Sequence, residues 1–226
     1  MKKEIIGNCE LYLGDCLEII PQVTSSVDAV VTDPVWPNNS VEEFAHIEPY
    51  DLFKNAWKLV ERTDRMFDLK RAIIQLGCDS NPSILFHILL PFFRIVWLEY
   101  AVPGHKGRLL NSGDVAYLYG VPPKAIPGKK LISEKCISTN NFGKETEHPC
   151  PRKLEHVKWL VYQFTELNDV VLDPFMGSGT TGVACIEQEH KRKFIGIEIN
   201  EKYFDVACKR IEFVASQNSL DFGGSQ

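Results

Sequence analysis

The amino-acid sequence predicts an α/β domain built on a mostly parallel sheet, and three observations carry that prediction. An apolar run at 168–172 passes through a glycine turn into a second apolar stretch at 181–186, in the order strand, turn, helix. A further β-branched run at 193–200 follows the turn by about twenty residues and carries Glu198 near its carboxyl end. Upstream, strand-like and helix-like stretches alternate, as β-α-β units require. At 226 residues the chain suits one domain, 1–226, with a modest insertion.

Taken in order, seven strands are expected. Residues 10–13 read as the first, ending at Gly14 and Asp15, and 17–20 as a helical turn or two closed by Pro21. Residues 27–32 form the second and run directly into Asp33, Pro34, Val35, Trp36 and Pro37. A residue before proline is pushed away from helical angles, so Asp33 and Trp36 are held extended at the strand's carboxyl end. An indole beside a carboxylate is unusual for pure packing there; the plain alternative is a proline-rich loop with Trp36 turned inward. Leu52, Phe53, Trp57 and Val60 share an apolar side of a helix read over 41–63. Residues 71–76 are the third strand and 81–90 a helix stopped by Pro91. Residues 92–98 and 114–119 are strands four and five, joined by polar 103–113, an antiparallel hairpin finishing the sheet on its C-terminal side.

From 120 to 147 periodicity lapses and Pro, Gly, Lys, Ser, Thr and Asn take over, the composition of a surface insert or of a segment ordered by a partner. Leu154, Val157, Leu160, Val161 and Phe164 then make a helical stripe before the glycine turn and the last two strands. Asn200 can cap a final helix with Tyr203, Ala207, Ile211 and Val214 on one face, and 216–226 should fray.

Net charge is −5, which argues against a nucleic-acid partner only while the distribution is ignored. Residues 101–153 hold nine Lys or Arg, among them Lys124, Lys129, Lys130, Lys144 and Arg152, against four acids, so one part of an acidic chain is basic. The seven cysteines are scattered, odd in number and free of C-x-x-C spacing, which reads as reduced thiols rather than a disulfide frame or a metal site. The first eight residues turn polar at once, and the most apolar region, 84–102, is broken by Pro91, Arg94 and Glu99. A soluble, cytoplasmic protein that meets no membrane is expected.

The turn itself is Asp173, Pro174, Phe175, Met176, Gly177, Ser178, Gly179 and Thr180. Its glycines admit close approach of a ligand to the backbone, and the following helix start favours an anionic group. A carboxylate at the end of the next strand is where a nucleotide-binding unit accepts ribose hydroxyls, so Glu198 and the turn together point to an adenosine-containing cofactor. A tight corner with no ligand remains the simpler alternative for the turn alone.

Three segments together resemble the permuted beta group of S-adenosylmethionine-dependent DNA amino-methyltransferases. Asp33, Pro34, Val35 and Trp36 resemble the D-P-P-[YFW] catalytic motif; His148 through Glu155 resemble the H-P-x-x-K-P segment; 173–180 nearly repeat D-P-F-x-G-S-G-T. Catalytic motif before cofactor motif is the beta-group order. The resemblance implies a circularly permuted Rossmann-like methyltransferase fold and S-adenosyl-L-methionine as cofactor, with no metal. It implies that Asp173, Phe175, Gly177, Ser178, Gly179 and Thr180 surround the methionine part, Glu198 the ribose and Asp15 the adenine, with His148 and Pro149 lining the pocket. Asp15 reads equally as an ordinary helix cap, and His148 and Pro149 as a helix start.

Asp33, Pro34 and Trp36 are the implied catalytic residues, acting on an adenine N6 amine in a base rotated out of double-stranded DNA. The alternatives are N4-cytosine transfer, for which the family usually carries Ser in place of Asp33, and an inactive cofactor-binding relative. The basic stretch at about 120–147 occupies the target-recognition position. Val35 stands where a second proline is usual, which removes a rigid constraint beside the catalytic carbonyl without removing a functional group, so reduced activity is expected. Arg152 and Lys153 stand where Lys and Pro are usual, mild changes in a surface-proximal segment. A homodimer and a partner restriction enzyme are left open.

Overall fold

The structure, a computed structural model, describes residues 2–23, 26–36, 48–61, 69–78, 80–125, 127–128, 130–139, 152–187 and 191–221. The strands are β1 (Lys2–Ile6), β2 (Cys9–Leu13), β3 (Ala29–Thr32), β4 (Arg71–Gly77), β5 (Phe92–Lys106), β6 (Leu109–Gly120), β7 (Lys135–Ser138), β8 (Val170–Asp173) and β9 (Lys193–Glu198). The helices are α1 (Cys16–Ile19), α2 (Pro49–Val60), α3 (Leu154–Phe164), α4 (Thr180–Ile186) and α5 (Glu201–Asp221). One sheet runs in the order β1-β2-β9-β8-β3-β4-β6-β5-β7. Its centre, from β2 through β4, is parallel, while β1 pairs antiparallel with β2, and β5 and β6 form an antiparallel hairpin on β4.

Nine strands are described where seven are expected from the sequence. The two additions have little apolar pattern to betray them. Strand β1 is an edge strand with Lys2, Lys3 and Glu4 exposed, and β7 is a four-residue edge strand inside the stretch that lacks periodicity. Polar 103–113 belongs largely to the paired hairpin rather than to a loop. The expected helix at 81–90 is a 3-10 turn over Pro82–His87, begun by the Asn81 side chain, which accepts from Ser83 N at 3.0 Å. Helix α2 starts at Pro49; the earlier part of the expected helix lies outside the described residues.

Side chains alternate across the sheet, so each central strand feeds two cores. Leu11, Val31, Ile73, Val171 and Phe194 face α3, α4 and α5, while Tyr12, Val30, Ile74, Leu172 and Ile195 face α1 and α2. Asn200 caps α5 as expected, its Oδ1 accepting from Lys202 N at 2.9 Å, and Tyr203, Ala207 and Ile211 are buried along that helix. Among the described residues no helix is long and apolar enough to cross a membrane, and the cysteines found there are free thiols.

Phe194 seats the helix that follows the glycine turn, α4, on the sheet. Its ring fills the space beside Gly182 and Gly196, where an added Cβ would come within 2.8 Å and 2.6 Å of it. Phe194→Ala is expected to cost about 3–5 kcal/mol through the cavity it leaves, read as a lower denaturant midpoint with an unchanged slope.

Candidate active site

Strands β3 and β8 lie side by side and parallel, so the loops that leave their carboxyl ends open on the same edge of the sheet. A cleft of about 400 Å³ lies there, lined by Asp33, Pro34 and Trp36 from the first loop and by Asp173, Phe175, Gly177, Ser178 and Thr180 from the second. Asp15 and Glu198 line it too, from the ends of β2 and β9. The structure therefore brings together both sequence-predicted corners, which are joined directly: Thr32 Oγ1 donates to Asp173 Oδ1 at 2.7 Å. His148 and Pro149 lie outside the described residues.

Asp173 is buried and holds the turn together. Besides Thr32 it accepts from Thr181 Oγ1 at 2.7 Å and from Phe175 N at 3.1 Å. Burial pushes its carboxyl up to about 6 against these donors, which favour the charged form. Gly177 and Gly179 take positive φ, 53° and 79°, angles that side chains rarely adopt. Gly179 faces away from the cleft, its added Cβ coming within 2.8 Å of Ala207 on α5. Arg210 of α5 ties the turn from behind, Nη1 donating to the Ser178 carbonyl at 2.6 Å.

Glu198 accepts from Gly177 N at Oε2 and from Asn200 N at Oε1, each at 2.8 Å, with the Ile199 backbone also favouring its charged form. A carboxylate accepts at about four lone-pair positions, so capacity remains for a vicinal diol. Burial raises its pKa, while those backbone donors lower it. Asp15 caps α1 by accepting from Leu17 N at 2.8 Å, so the plain role is present even though the residue also lines the cleft.

The Asp33 corner holds what the sequence reading missed. Trp36 is half-buried and its Nε1 donates to Asp33 Oδ1 at 2.7 Å, while its benzo ring lies against Gly77. Arg152, expected near the surface, is turned inward with its side chain 15% exposed. Its Nε donates to Asp33 Oδ2, its Nη2 to Oδ1 at 3.0 Å, and its Nη1 reaches Asp114 Oδ2 at 3.3 Å. The guanidinium carbon stands 3.9 Å from the centre of the Trp36 ring. Asp114 is buried and also accepts from Gln75 Nε2 at 3.0 Å and from the Tyr100 hydroxyl at 2.8 Å. Burial raises the Asp33 carboxyl, and the Arg152 charge pulls it back down.

Polar residues inside apolar strands, Gln75 among Ala72, Ile73, Ile74 and Leu76 and Asp114 ahead of Val115 and Ala116, are the signal that could have found this network. Apart from the two carboxylate corners and Arg152, the walls are largely apolar, including Val31, Phe175, Met176 and Ile197. Such a site can bind a flat heterocycle and a chain of mixed polarity, and can hold a charge beside a carboxylate. Among the described residues there is no group of three side chains able to hold a metal.

A family model described as DNA methylase, for N6 and N4 enzymes, matches residues 53–209. The type II methyltransferase M.BglII of Bacillus subtilis is 35% identical over 93% of this chain and 71% of its own length. The crystal structure of an M1.HpyAVI–SAM complex superposes with a TM-score of 0.66 and 25% identity, covering 90% of this chain and 98% of that one. The PvuII DNA methyltransferase, cytosine-N4-specific, has a TM-score of 0.69 over 97% of this chain and 94% of its own, and at 16% identity the likeness is one of fold.

Because a buried carboxyl at about 6 keeps its proton where an unfolded aspartate has lost it, Asp173 contributes stability that is full below pH 4 and lost as pH rises through 6. A fall of roughly 2–3 kcal/mol across that window is expected in urea titrations. The fall should flatten in Asp173→Asn.

Proposed function

The chain belongs to the DNA methylase family of N6 and N4 enzymes, and from that premise we propose that it transfers a methyl group from S-adenosyl-L-methionine to the exocyclic N6 of adenine, in a base rotated out of double-stranded DNA. One observation carries the reading: Asp33 and the glycine turn leave adjacent parallel strands and line a single cleft. When bound, S-adenosyl-L-methionine supplies an electrophilic methyl carbon. The residues present fit it: Glu198 keeps acceptor capacity for the ribose diol, Phe175 and Ile197 offer apolar walls, and Asp15 stands where it can meet the adenine amine. Asp173, Ser178 and Thr180, with the backbone freed by Gly177, surround the methionine part, and Gly179 sets the turn against α5.

An amine conjugated to an aromatic ring is a poor nucleophile because its lone pair is delocalised. Asp33 and the Pro34 carbonyl accept its two hydrogens, which draws the lone pair back onto nitrogen and aims it. The Asp33 charge then stabilises the positive charge that develops on that nitrogen as it takes the methyl from the sulfonium sulfur, which leaves as a neutral thioether. The nitrogen's surplus proton passes to water, and the stabilisation is strong where the reacting atoms are shielded from bulk solvent. Rotating the base out costs a few kcal/mol, and stacking on Trp36 returns roughly 1–3 kcal/mol of it. The stretch at about 120–147 acts as the target-recognition insert, its lysines meeting phosphates.

We read the strand order as that of the circularly permuted fold. The first and last elements sit together, with Lys2 Nζ 3.4 Å from Asp205 and 5.2 Å from the Phe204 ring centre on α5. Such adjacency of the first and last elements is what a relocated break in the chain requires.

Incubating the protein with S-adenosyl-L-methionine and unmodified DNA, then weighing the nucleosides, is expected to give N6-methyladenine. N4-methylcytosine alone would transfer the reading to cytosine, and cofactor binding without product would mark an inactive relative. Asp33→Ala is expected to lower turnover by about a hundred- to a thousandfold while cofactor affinity by calorimetry stays within a few-fold. Loss of cofactor binding in that variant would refute the role of Asp33.

A further inference from the structure

In the transfer reading Asp33 must accept from an amine, yet three of its roughly four acceptor positions already hold donors. Arg152 takes each oxygen, and the Trp36 indole adds a second donor to Oδ1. The same guanidinium covers the indole ring on which the base would stack, while Gly77 packs against the benzo ring. A flipped base therefore cannot stack on the Trp36 face that Arg152 covers until Arg152 moves. The network contains its destination. Asp114 Oδ2 is already 3.3 Å from Arg152 Nη1, and Gln75 and Tyr100 hold that carboxylate in place on β4, β5 and β6.

Resting on the transfer reading, we propose that Arg152 is a positioning residue with two stations. Before a base arrives it holds Asp33 as an oriented, ionised carboxylate; as the base reaches Trp36 it turns onto Asp114, leaving Asp33 to accept from the amine. Two neighbouring carboxylates with no cation between them would each resist ionisation, so the guanidinium must stay near both while it changes its main partner. An arginine suits this because its forked donors can be shared between two acids without losing charge. The groups facing Asp33 are Arg152 ahead of α3, Asp114 on β6, Tyr100 on β5 through Asp114 and Arg152, and Asp173 at the end of β8.

The Trp36 indole N–H, which donates to Asp33, reports this without any turnover. Its proton–nitrogen resonance is followed against pH in the full chain, alongside pH profiles of kcat/KM on DNA. In Arg152→Gln the titration midpoint is expected to rise by about one pH unit or more, because an opposite charge is removed. In Arg152→Lys, which keeps the charge, the rise should be smaller. In Asp114→Asn the midpoint should fall, and KM for DNA should rise more than kcat changes, since the guanidinium has lost its second station. The acid limb of kcat/KM should move in the same order as the midpoints.

An unmoved midpoint in Arg152→Gln, or a drop in activity of equal size at every pH, overturns the proposal. A midpoint that moves as described in a protein that never produces a methylated nucleoside supports the hold of Arg152 on Asp33 and refutes the transfer reading instead.

Discussion

Two carboxylates, Asp33 and Asp173, are held at the carboxyl ends of paired strands, and the cleft depends on how each is satisfied in poor solvent. Asp173 is met by two hydroxyls and a backbone N–H, and among the described residues no cation bonds to it. Asp33 has a cation, brought from the far side of the sequence. The division follows from chemistry. A carboxylate that only braces a turn can be settled by fixed neutral donors, whereas one that is to exchange partners needs a counter-charge able to move with the exchange.

Much of the site was legible because its chemistry is local in the chain. The residues around Asp33 announce themselves through the prolines that hold them extended, and the turn through glycines at positions that proved to need positive φ. Strand β8 was readable as an apolar run, whereas its pairing with β3 joins strands far apart in the chain and was implied only through the permuted-family resemblance. What stayed hidden was relational. Arg152 sits among basic, proline-flanked neighbours that look like surface, and only the fold shows that its side chain turns into the cleft. Elements β1 and β7 escaped for the opposite reason: edge strands bury little, so their sequences need no alternation.

The apolar body of the cleft explains why so few polar groups can set its chemistry. Where Val31, Ile73 and Leu160 form walls, water competes poorly for the carboxylates, and each hydrogen bond described there gains strength accordingly. Arg210 and Phe194 act at one remove. One grips the Ser178 carbonyl and the other fills the hollow beside two glycines, so the turn is supported by the helix behind it and the strand beneath it.

The flanks of the sheet bear on how the molecule behaves when crowded. Among the described residues the nine-stranded sheet ends in β1 and β7, and an edge strand offers a backbone row on which a second copy could continue the sheet. Here β1 presents Lys2, Lys3 and Glu4 to solvent, and β7 opens on exposed Lys135. Adding a strand to either side would strip water from those charges, which disfavours endless stacking.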